Sequence, residues 1–266
     1  MHDAAFAAAG IDARYELMAV EPDEVERVIA EAHGPDWLGL GVTAPYKRMV
    51  AEMCDEVEPA ATAIGAVNNA VRTTDGRLVG FNSDAPGFRA GVELAMGASL
   101  EGIEVVVAGA GGVAHAVVYA CLAAGASSVT IGNRTESSAI GLAARFERPR
   151  AASVVGIGLD DPAFVSALGS AHLAVNATTV GMVDAGVTID VEALPAHATV
   201  FDVVYVPAET PLLQAARARG LRAANGSEML IQQAAIAFER WTGVGGMADV
   251  MRSAVAPLLA DATALA

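Results

Sequence analysis

The single lysine of this chain is the first candidate for proton transfer. Lys47 is the only lysine among 16 lysine and arginine residues. Arginine keeps its proton in proteins, whereas the pKa of a lysine ammonium can be shifted far enough for proton exchange. A carboxylate, Asp84, lies in the segment Asn82-Ser83-Asp84. Such a pair could exchange a proton with a substrate hydroxyl or ketone, and the spacing alone leaves open whether the two residues meet.

A glycine-rich segment is the second candidate for a chemical role. It lies between a valine-rich predicted strand and an alanine-rich predicted helix, which is the setting of a dinucleotide-binding fingerprint. The first glycine permits a tight turn, and the following ones let backbone amides approach a pyrophosphate at the helix N-terminus. Ala114, at the last fingerprint position, is small enough for helix packing. The predicted cofactor-binding residues here are Gly109, Ala110, Gly111, Gly112 and Val113.

The end of the next predicted strand indicates which dinucleotide binds. An acidic residue at this position would hold a ribose 2′-hydroxyl, whereas an arginine pairs with a 2′-phosphate. Here the strand ends in Asn133-Arg134-Thr135. We therefore predict NADP, with Arg134 binding the phosphate and its two neighbours forming hydrogen bonds. Glu136 is interpreted as an acid in the first turn of the following helix.

The predicted strands and helices that must position these residues form two groups along the chain. In the first group, Lys47 and Asp84 both lie near the start of a predicted helix. The strands of this group are predicted at Asp12–Val20, Trp37–Val42, Gly65–Val71 and Arg77–Phe81, and its helices at Pro22–His33, Pro45–Val57 and Ala85–Met96.

After Glu101-Gly102, strands and helices alternate regularly. Repeated βα units imply a parallel sheet with helices on both faces, so we predict the α/β class. The strands are predicted at Glu104–Ala108, Ser127–Gly132, His172–Asn176 and Thr199–Tyr205, and the helices at Gly111–Ala124, Ser137–Phe146, Pro211–Arg219 and from Gly226 onward.

The composition excludes some classes of partner. The chain has 31 Asp and Glu against 16 Lys and Arg, a net charge of -15, so its surface as a whole repels phosphate backbones and anionic lipid. Nucleic acid and membranes are therefore not expected as partners. Cys54 and Cys121 lie far apart in the sequence without a Cys/His cluster. We interpret both as reduced, buried thiols and predict no metal site.

One stretch raises the question of a membrane span. Val105–Gly132 carries no charged Asp, Glu, Lys or Arg and is long enough to cross a bilayer. Glycines interrupt it, and its valine-rich ends flank an alanine-rich piece, which favours a buried strand, a helix and a second buried strand. The N-terminal Met1-His2-Asp3 has no positive region followed by a long apolar core. We therefore expect a cytoplasmic protein.

Short motifs follow one another along nearly the whole chain. They are Val42-Thr43-Ala44-Pro45-Tyr46-Lys47, Gly65-Ala66-Val67-Asn68, Gly80-Phe81-Asn82-Ser83-Asp84, the glycine loop, Asn133-Arg134-Thr135, Asn176-Ala177-Thr178, Asp202-Val203-Val204-Tyr205, Thr210-Pro211-Leu212-Leu213 and Met229-Leu230 with Gln233. In type and order these motifs resemble those of the shikimate dehydrogenase family.

The resemblance implies a function and a set of site residues. The activity would be the reversible, NADP-dependent reduction of 3-dehydroshikimate to shikimate in chorismate and aromatic amino acid biosynthesis. Lys47 and Asp84 match the family's catalytic pair. The positions matching substrate-binding residues are Thr43, Asn68, Tyr205 and Gln233, and Asn176 and Thr178 match positions on the cofactor side.

The resemblance also implies the domain organisation. Residues 1–84 would form an α/β substrate-binding and catalytic domain, completed by C-terminal helices in residues 228–266, and residues 85–227 a Rossmann-type NADP-binding domain. In the family the active site lies in the cleft between the two. The sequence leaves monomer and homodimer open.

Departures from the family pattern keep alternatives open. The family's first strand and Ser-x-Ser segment do not precede Met1-His2-Asp3, so we expect either a true start upstream of Met1 or an impaired version of the enzyme. Gly41 stands where the family usually has Asn. The alternatives are a quinate/shikimate dehydrogenase that uses NAD or NADP, and a non-catalytic NADP-binding protein of the same fold.

Overall fold

A computed structural model describes residues 1–146 and 152–264. The chain folds into two compact units, one of Met1–Gly87 with Ile231–Ala256, the other of Phe88–Leu230 with Pro257 and the described residues after it. The sequence-based boundaries at residues 84 and 227 lie three residues before those of the structure, and the end of the last helix goes with the second unit. The functional roles of the two units stay predictions at this point.

The first unit is built on a four-stranded sheet in the order β1-β3-β4-β2. β3 pairs antiparallel with both β1 and β4, and β2 pairs parallel with β4. The strands are β1 Gly39–Gly41, β2 Glu56–Val57, β3 Asn69–Arg72 and β4 Leu78–Phe81. The helices of this part of the chain are α1 His2–Ala9, α2 Val25–Ala32, preceded by a 3-10 turn at Pro22–Glu24, α3 Lys47–Met53 and α4 Pro59–Ile64.

The core of the first unit forms where α2 and α3 cover the sheet. Val25 and Ile29 of α2 pack with Val50 of α3 and Leu78 of β4. A smaller cluster joins Phe81 to Ala237 and Trp241 of a C-terminal helix, α10 Ser227–Thr242. The last helix is α11 Ala248–Ala264.

Two predictions for the first unit are wrong. The segment Asp12–Val20 is not a strand: it lies without a strand partner, Tyr15 donates its N–H to the Asp3 carboxylate at 2.7 Å, and Leu17 is exposed. Strand propensity produces a strand only where a neighbouring strand accepts its hydrogen bonds. The helix predicted at Pro45–Val57 spans only Lys47–Met53. Pro45 lies in a turn closed by the Tyr46 N–H on the Thr43 carbonyl, and Glu56–Val57 form β2, which pairs with β4.

The second unit contains a six-stranded, all-parallel sheet in the order β7-β6-β5-β8-β9-β10. Counted along the chain from β5, this order is 3-2-1-4-5-6, that of dinucleotide-binding doubly wound folds. The predicted parallel α/β fold is confirmed. The strands are β5 Glu104–Ala108, β6 Ser128–Asn133, β7 Ser153–Gly158, β8 Leu173–Asn176, β9 Thr199–Asp202 and β10 Arg222–Asn225.

Helices cover this sheet on its two faces, as right-handed crossovers between parallel strands require. They are α5 Asp84–Met96, α6 Gly112–Ala123, α7 Glu136–Phe146, α8 Pro162–Leu168 and α9 Pro211–Ala218, with a 3-10 turn at Val191–Ala193. Val105, Val106 and Val107 of the central strand are buried. Buried valines of this kind are expected in a parallel strand that is covered on both faces.

The uncharged stretch Val105–Gly132 forms β5, α6 and most of β6, as predicted. Within residues 1–146 and 152–264, none of the helices has both the length and the apolar composition of a bilayer-spanning segment. Cys121 is buried, as predicted, whereas Cys54 is only half-buried. Burial raises the pKa of Cys121 to about 12 and that of Cys54 to about 11, which makes both thiols poor nucleophiles.

Candidate functional site

Lys47 and Asp84, which the spacing could not place together, form an ion pair in the first unit. Nζ of Lys47 lies 2.6 Å from Oδ2 of Asp84. Lys47 is the first residue of α3 and Asp84 the first residue of α5. The Asp84 side chain is 7% exposed and that of Lys47 25% exposed, so the carboxylate is shielded while the lysine side chain keeps some contact with solvent. A substrate oxygen can therefore approach the lysine.

The turn between β3 and β4 explains how residues far apart in sequence meet here. These two strands pair antiparallel, and the N–H of Asn68, just before β3, donates to the carbonyl of Phe81 at 3.2 Å. Asp84 follows β4 within three residues. The Val67 N–H donates to the Lys47 carbonyl at 3.0 Å, which ties the start of α3 to the same segment.

Asn68 completes the surroundings of the Asp84 carboxylate. Its Nδ2 donates to Oδ1 of Asp84 at 2.8 Å, so each carboxylate oxygen has its own donor. The same amide group lies 3.5 Å from Oε1 of Gln233 on α10. Lys47, Asn68, Asp84 and Gln233 thus form one connected cluster, as the resemblance implied.

Two buried residues of this cluster were missed by the sequence analysis. Ser83 donates its backbone N–H to Oδ1 of Asn68 at 2.8 Å, and Asn69 donates its side-chain amide to the same oxygen at 3.0 Å. Asn69 also donates to the Ser83 hydroxyl at 2.8 Å. The available signal was the pair of polar residues at the start of β3, directly after buried Val67.

The two other predicted substrate-binding residues lie outside this cluster. Thr43 is exposed in the loop between β1 and α3. Tyr205 is half-buried in the loop after β9 and belongs to the second unit. Their placement agrees with loops that carry ligand contacts, and their roles stay predictions.

Gly41 lies beside the cluster, paired with Asn69 in the register of β1 and β3. A Cβ at position 41 would lie 2.9 Å from the hydroxyl of Tyr15, so this hydroxyl occupies the space that a side chain would need. Tyr15 stacks on His2 with ring centroids 4.4 Å apart, and burial raises its pKa. The surroundings of Gly41 therefore include a phenol hydroxyl.

The glycine loop of the second unit has the geometry of a phosphate-binding turn. Gly109 directly follows β5 with φ of 115°, and a Cβ there would lie 2.8 Å from the Ala177 carbonyl oxygen. Gly111 is the N-cap residue of α6, and no side chain caps this helix. A Cβ added to Gly111 or Gly112 would have no atom within 4 Å, so the space beside both residues is open. Uncapped amides beside open space suit a pyrophosphate at the helix N-terminus. The residues present therefore fit a dinucleotide.

The predicted specificity residues lie at the carboxyl edge of the adjacent strand β6. Asn133 ends this strand, and its side-chain amide donates to the Thr135 carbonyl at 3.0 Å. Arg134 is exposed and forms no salt bridge with any other residue that the structure describes. Glu136 begins α7, as predicted. A guanidinium that is free to bind an anion thus stands next to the glycine loop.

Asn176 and Thr178, after β8, hold one another in a buried network. Asn176 donates to Oδ1 of Asp202 at 2.9 Å and to the Val180 carbonyl at 3.1 Å, and accepts the Thr178 hydroxyl at 2.7 Å. The polar atoms of Asn176 are thereby used within the protein. These hydrogen bonds shape the loop that faces Gly109, and the cofactor-binding role of Asn176 and Thr178 stays a prediction.

The buried carboxylate of this network is a residue that the sequence analysis quoted but gave no role. Asp202 is fully buried at the end of β9, and Thr210 donates to its Oδ2 at 2.7 Å. Burial raises the pKa of Asp202. Its hydrogen bonds connect the loops that follow β8 and β9. No group of His, Cys, Asp or Glu in the described part of the chain is arranged to hold a metal ion.

Comparison with known proteins identifies the family. Residues 1–70 match the model of the shikimate dehydrogenase substrate binding domain, and residues 226–256 that of the shikimate 5'-dehydrogenase C-terminal domain. The shikimate dehydrogenase (NADP(+)) of Symbiobacterium thermophilum is 42% identical over 260 residues, which cover 96% of this chain and 87% of the relative.

Two solved structures resemble this fold closely. The shikimate 5-dehydrogenase of Thermus thermophilus, in complex with NADP(H) and shikimate, is 33% identical with a TM-score of 0.84, over 96% of this chain and 92% of that one. The quinate dehydrogenase of Corynebacterium glutamicum, in complex with NAD, is 33% identical with a TM-score of 0.88 over the same shares. The family expected from the motifs is confirmed: this chain belongs to the shikimate dehydrogenase family.

Proposed function

We propose that this chain is an NADP-dependent shikimate dehydrogenase, which catalyses the reversible reduction of 3-dehydroshikimate to shikimate. The observation that carries the proposal is the shielded pair of Lys47 and Asp84, 2.6 Å apart, in a chain whose relative at 42% identity is named for this activity. The family membership supports the reaction, and the pair supplies the proton chemistry that it needs.

Lys47 and Asp84 are the proposed catalytic residues. In the reducing direction Lys47 gives a proton to the substrate carbonyl oxygen, and in the oxidising direction the pair takes the proton from the hydroxyl. The bound nicotinamide supplies or accepts the hydride.

The remaining site residues have positioning and binding roles in this proposal. Asn68, Gln233, Thr43 and Tyr205 hold the hydroxyls and the carboxylate of the substrate, and uncharged partners of this kind reject isomers that leave one of them unpaired. The first unit would bind the substrate.

The second unit would bind NADP. The backbone of residues 109–113 would bind the pyrophosphate. Arg134 would bind the 2′-phosphate, supported by Asn133 and Thr135. Asn176 and Thr178 would support this site by holding the loop against Gly109, whose missing side chain allows the Ala177 carbonyl to lie so close.

A quinate/shikimate dehydrogenase is the second candidate function. Gly41 leaves it open, because the Tyr15 hydroxyl occupies the space of the side chain that the family usually places at this position. The similarity to a quinate dehydrogenase in complex with NAD agrees with this alternative. The free guanidinium of Arg134 argues for NADP in either case.

Reduced-nicotinamide absorbance distinguishes these candidates when shikimate and quinate are each combined with NADP and NAD. The proposal predicts the highest kcat/KM with shikimate and NADP, and no measurable turnover by Lys47→Ala. Arg48→Ala, which changes the exposed neighbour of Lys47, serves as the control and is expected to retain activity. A higher kcat/KM with quinate than with shikimate would establish the second candidate. Binding of NADP without turnover of either substrate would establish the non-catalytic alternative.

The proposal also includes a cytoplasmic location and the absence of nucleic acid as a partner. A cytoplasmic location agrees with two free thiols, and the net charge of -15 argues against nucleic acid as a partner. Monomer and homodimer both remain compatible with the site, because the proposed proton-transfer pair comes from one chain.

A further inference from the structure

Asn69 and Ser83 are buried polar residues to which the proposed reaction assigns no role. Asn69 is 6% exposed and Ser83 fully buried. Burying an amide and a hydroxyl is costly unless both form hydrogen bonds. Here their hydrogen bonds are made with each other and with Asn68, the residue that contacts Asp84.

The two residues fix which way the Asn68 amide points. An asparagine side chain has a donor end and an acceptor end of almost the same shape, so the surrounding hydrogen bonds decide its orientation. Oδ1 of Asn68 accepts from the Ser83 backbone N–H at 2.8 Å and from Nδ2 of Asn69 at 3.0 Å. Two donors on this oxygen leave only Nδ2 to face Asp84, at 2.8 Å.

The Ser83 hydroxyl reinforces this arrangement. Its oxygen accepts from Nδ2 of Asn69 at 2.8 Å and from Nδ2 of Asn68 at 3.2 Å. Reversing the Asn68 amide would place its oxygen against the Asp84 carboxylate and its NH2 against the Ser83 N–H. Both contacts would be repulsive.

We propose that Asn69, acting with Ser83, is a positioning residue that holds the Asn68 amide as a donor to Asp84 and so keeps the Lys47–Asp84 pair in its reactive arrangement. This inference rests on the proposed function of the pair. It adds a residue that touches neither the substrate nor the reacting atoms and acts through Asn68.

The charges near Asp84 allow this proposal to be tested by pH. Lys47 on α3 is the cation in contact with Asp84. Of the arginines on the neighbouring elements, Arg240 of α10 pairs with Glu58, Arg89 of α5 pairs with Glu93, and Arg72 of β3 donates to the His33 carbonyl, whereas Arg48 of α3 is exposed to solvent. A change in the acidic limb of the rate profile therefore reports on the Lys47–Asp84 pair and its immediate neighbours.

The test replaces Asn69 by an acceptor. Asn69→Asp puts a carboxylate against Oδ1 of Asn68, which favours the reversed amide and removes the donor from Asp84. The matched control is Asn82→Asp: Asn82 is equally buried and hydrogen-bonds the Ala66 carbonyl and the Ala85 N–H, outside the Asn68 amide. Both variants add one buried carboxylate to adjoining segments, and only the first opposes the amide.

The proposal predicts different pH profiles of kcat/KM for the two variants. Asn69→Asp is expected to move the acidic limb upward by about one pH unit, which lowers kcat/KM on the order of tenfold at pH values below the limb and leaves it near the wild-type value above the limb. Asn82→Asp is expected to keep the limb of the wild type. A wild-type limb in Asn69→Asp, or an equal shift in both variants, would overturn the proposal, since an equal shift is an effect of charge alone.

A second pair of variants serves if Asn69→Asp does not fold. Asn69→Leu keeps the approximate volume and removes the donors, whereas the hydroxyl of Asn69→Thr can still donate to Asn68. The proposal predicts that Asn69→Leu loses kcat/KM and that Asn69→Thr keeps a value closer to that of the wild type. Equal kcat/KM for the two variants would contradict it. Failure of the proposed function would be distinguishable, because the wild type would then show no turnover of shikimate in the same assay.

Discussion

At the scale of residues, the chemistry of this chain depends on a few charged groups with specific partners. Lys47 is held by Asp84 and retains some exposure, so it combines an oriented proton with access to a ligand. Arg134 is the opposite case, an exposed guanidinium that pairs with none of the described residues. The first geometry suits proton transfer, and the second suits the binding of an anion that arrives with the cofactor.

Arg134 provides the sharpest test of cofactor specificity. Arg134→Gln removes the charge and keeps the length of the side chain, and we expect KM for NADP to rise about 10- to 100-fold because a charge-assisted contact with the 2′-phosphate is lost. KM for NAD, which has no such phosphate, should stay the same. Arg14→Gln, at a highly exposed arginine of the first unit, is the control. Equal effects on NADP and NAD would show that Arg134 does not bind the phosphate.

At the scale of elements, the two glycines in the loop between β5 and α6 differ in backbone conformation and in the space beside them. Gly109 has a positive φ and no room for a Cβ, whereas Gly111 has φ of -82° and open space at the Cβ position. The first glycine is therefore needed to form the fold, and the second leaves room for a ligand to approach.

This difference predicts opposite results for two alanine substitutions. Gly109→Ala should lower the free energy of unfolding by about 1–3 kcal/mol, because it strains the backbone and contacts the Ala177 carbonyl. Gly111→Ala should leave the unfolding midpoint unchanged and weaken NADP binding. Thermal unfolding and a titration with NADP check both variants. Loss of stability in Gly111→Ala without loss of affinity would contradict the proposed phosphate site.

The elements also show what can be learned from sequence alone. The central strands and the glycine loop were predictable because buried parallel strands and phosphate-binding turns have local patterns. β7 and β10 were missed because they are the edge strands of the sheet: their residues are partly exposed, unlike those of the buried central strands, and β10 has only four residues. Asn69 and Ser83 were missed for another reason: a hydrogen-bonded cluster depends on the β3–β4 pairing, which no local pattern of these residues specifies.

At the scale of the whole molecule, the family assignment followed from the order of motifs along the chain. Sequence and structure comparisons agree with it over most of the length. The separation into two units was expected, and the helix α10 passes from the second unit into the first between Leu230 and Ile231. Gln233 joins the Lys47 cluster for this reason, although it lies far from Lys47 in sequence.

Binding of NADP should stabilise the whole molecule independently of catalysis. A ligand bound only by the folded state raises the free energy of unfolding by about 2.7 kcal/mol at a concentration 100 times its Kd. We expect NADP to raise the thermal midpoint of both the wild type and Lys47→Ala, since Lys47 is not a predicted cofactor residue. No shift in either protein would contradict the assignment of the second unit to NADP.

The most direct test of the proposed chemistry is the turnover of shikimate and NADP by the wild type, Lys47→Arg and Arg48→Lys. Arginine can retain the ion pair with Asp84 but does not release its proton, so Lys47→Arg should keep the thermal midpoint and lose about 100-fold or more in kcat. Arg48→Lys, at the exposed neighbouring position, should match the wild type. Turnover by Lys47→Arg at the rate of the wild type would contradict proton transfer by Lys47.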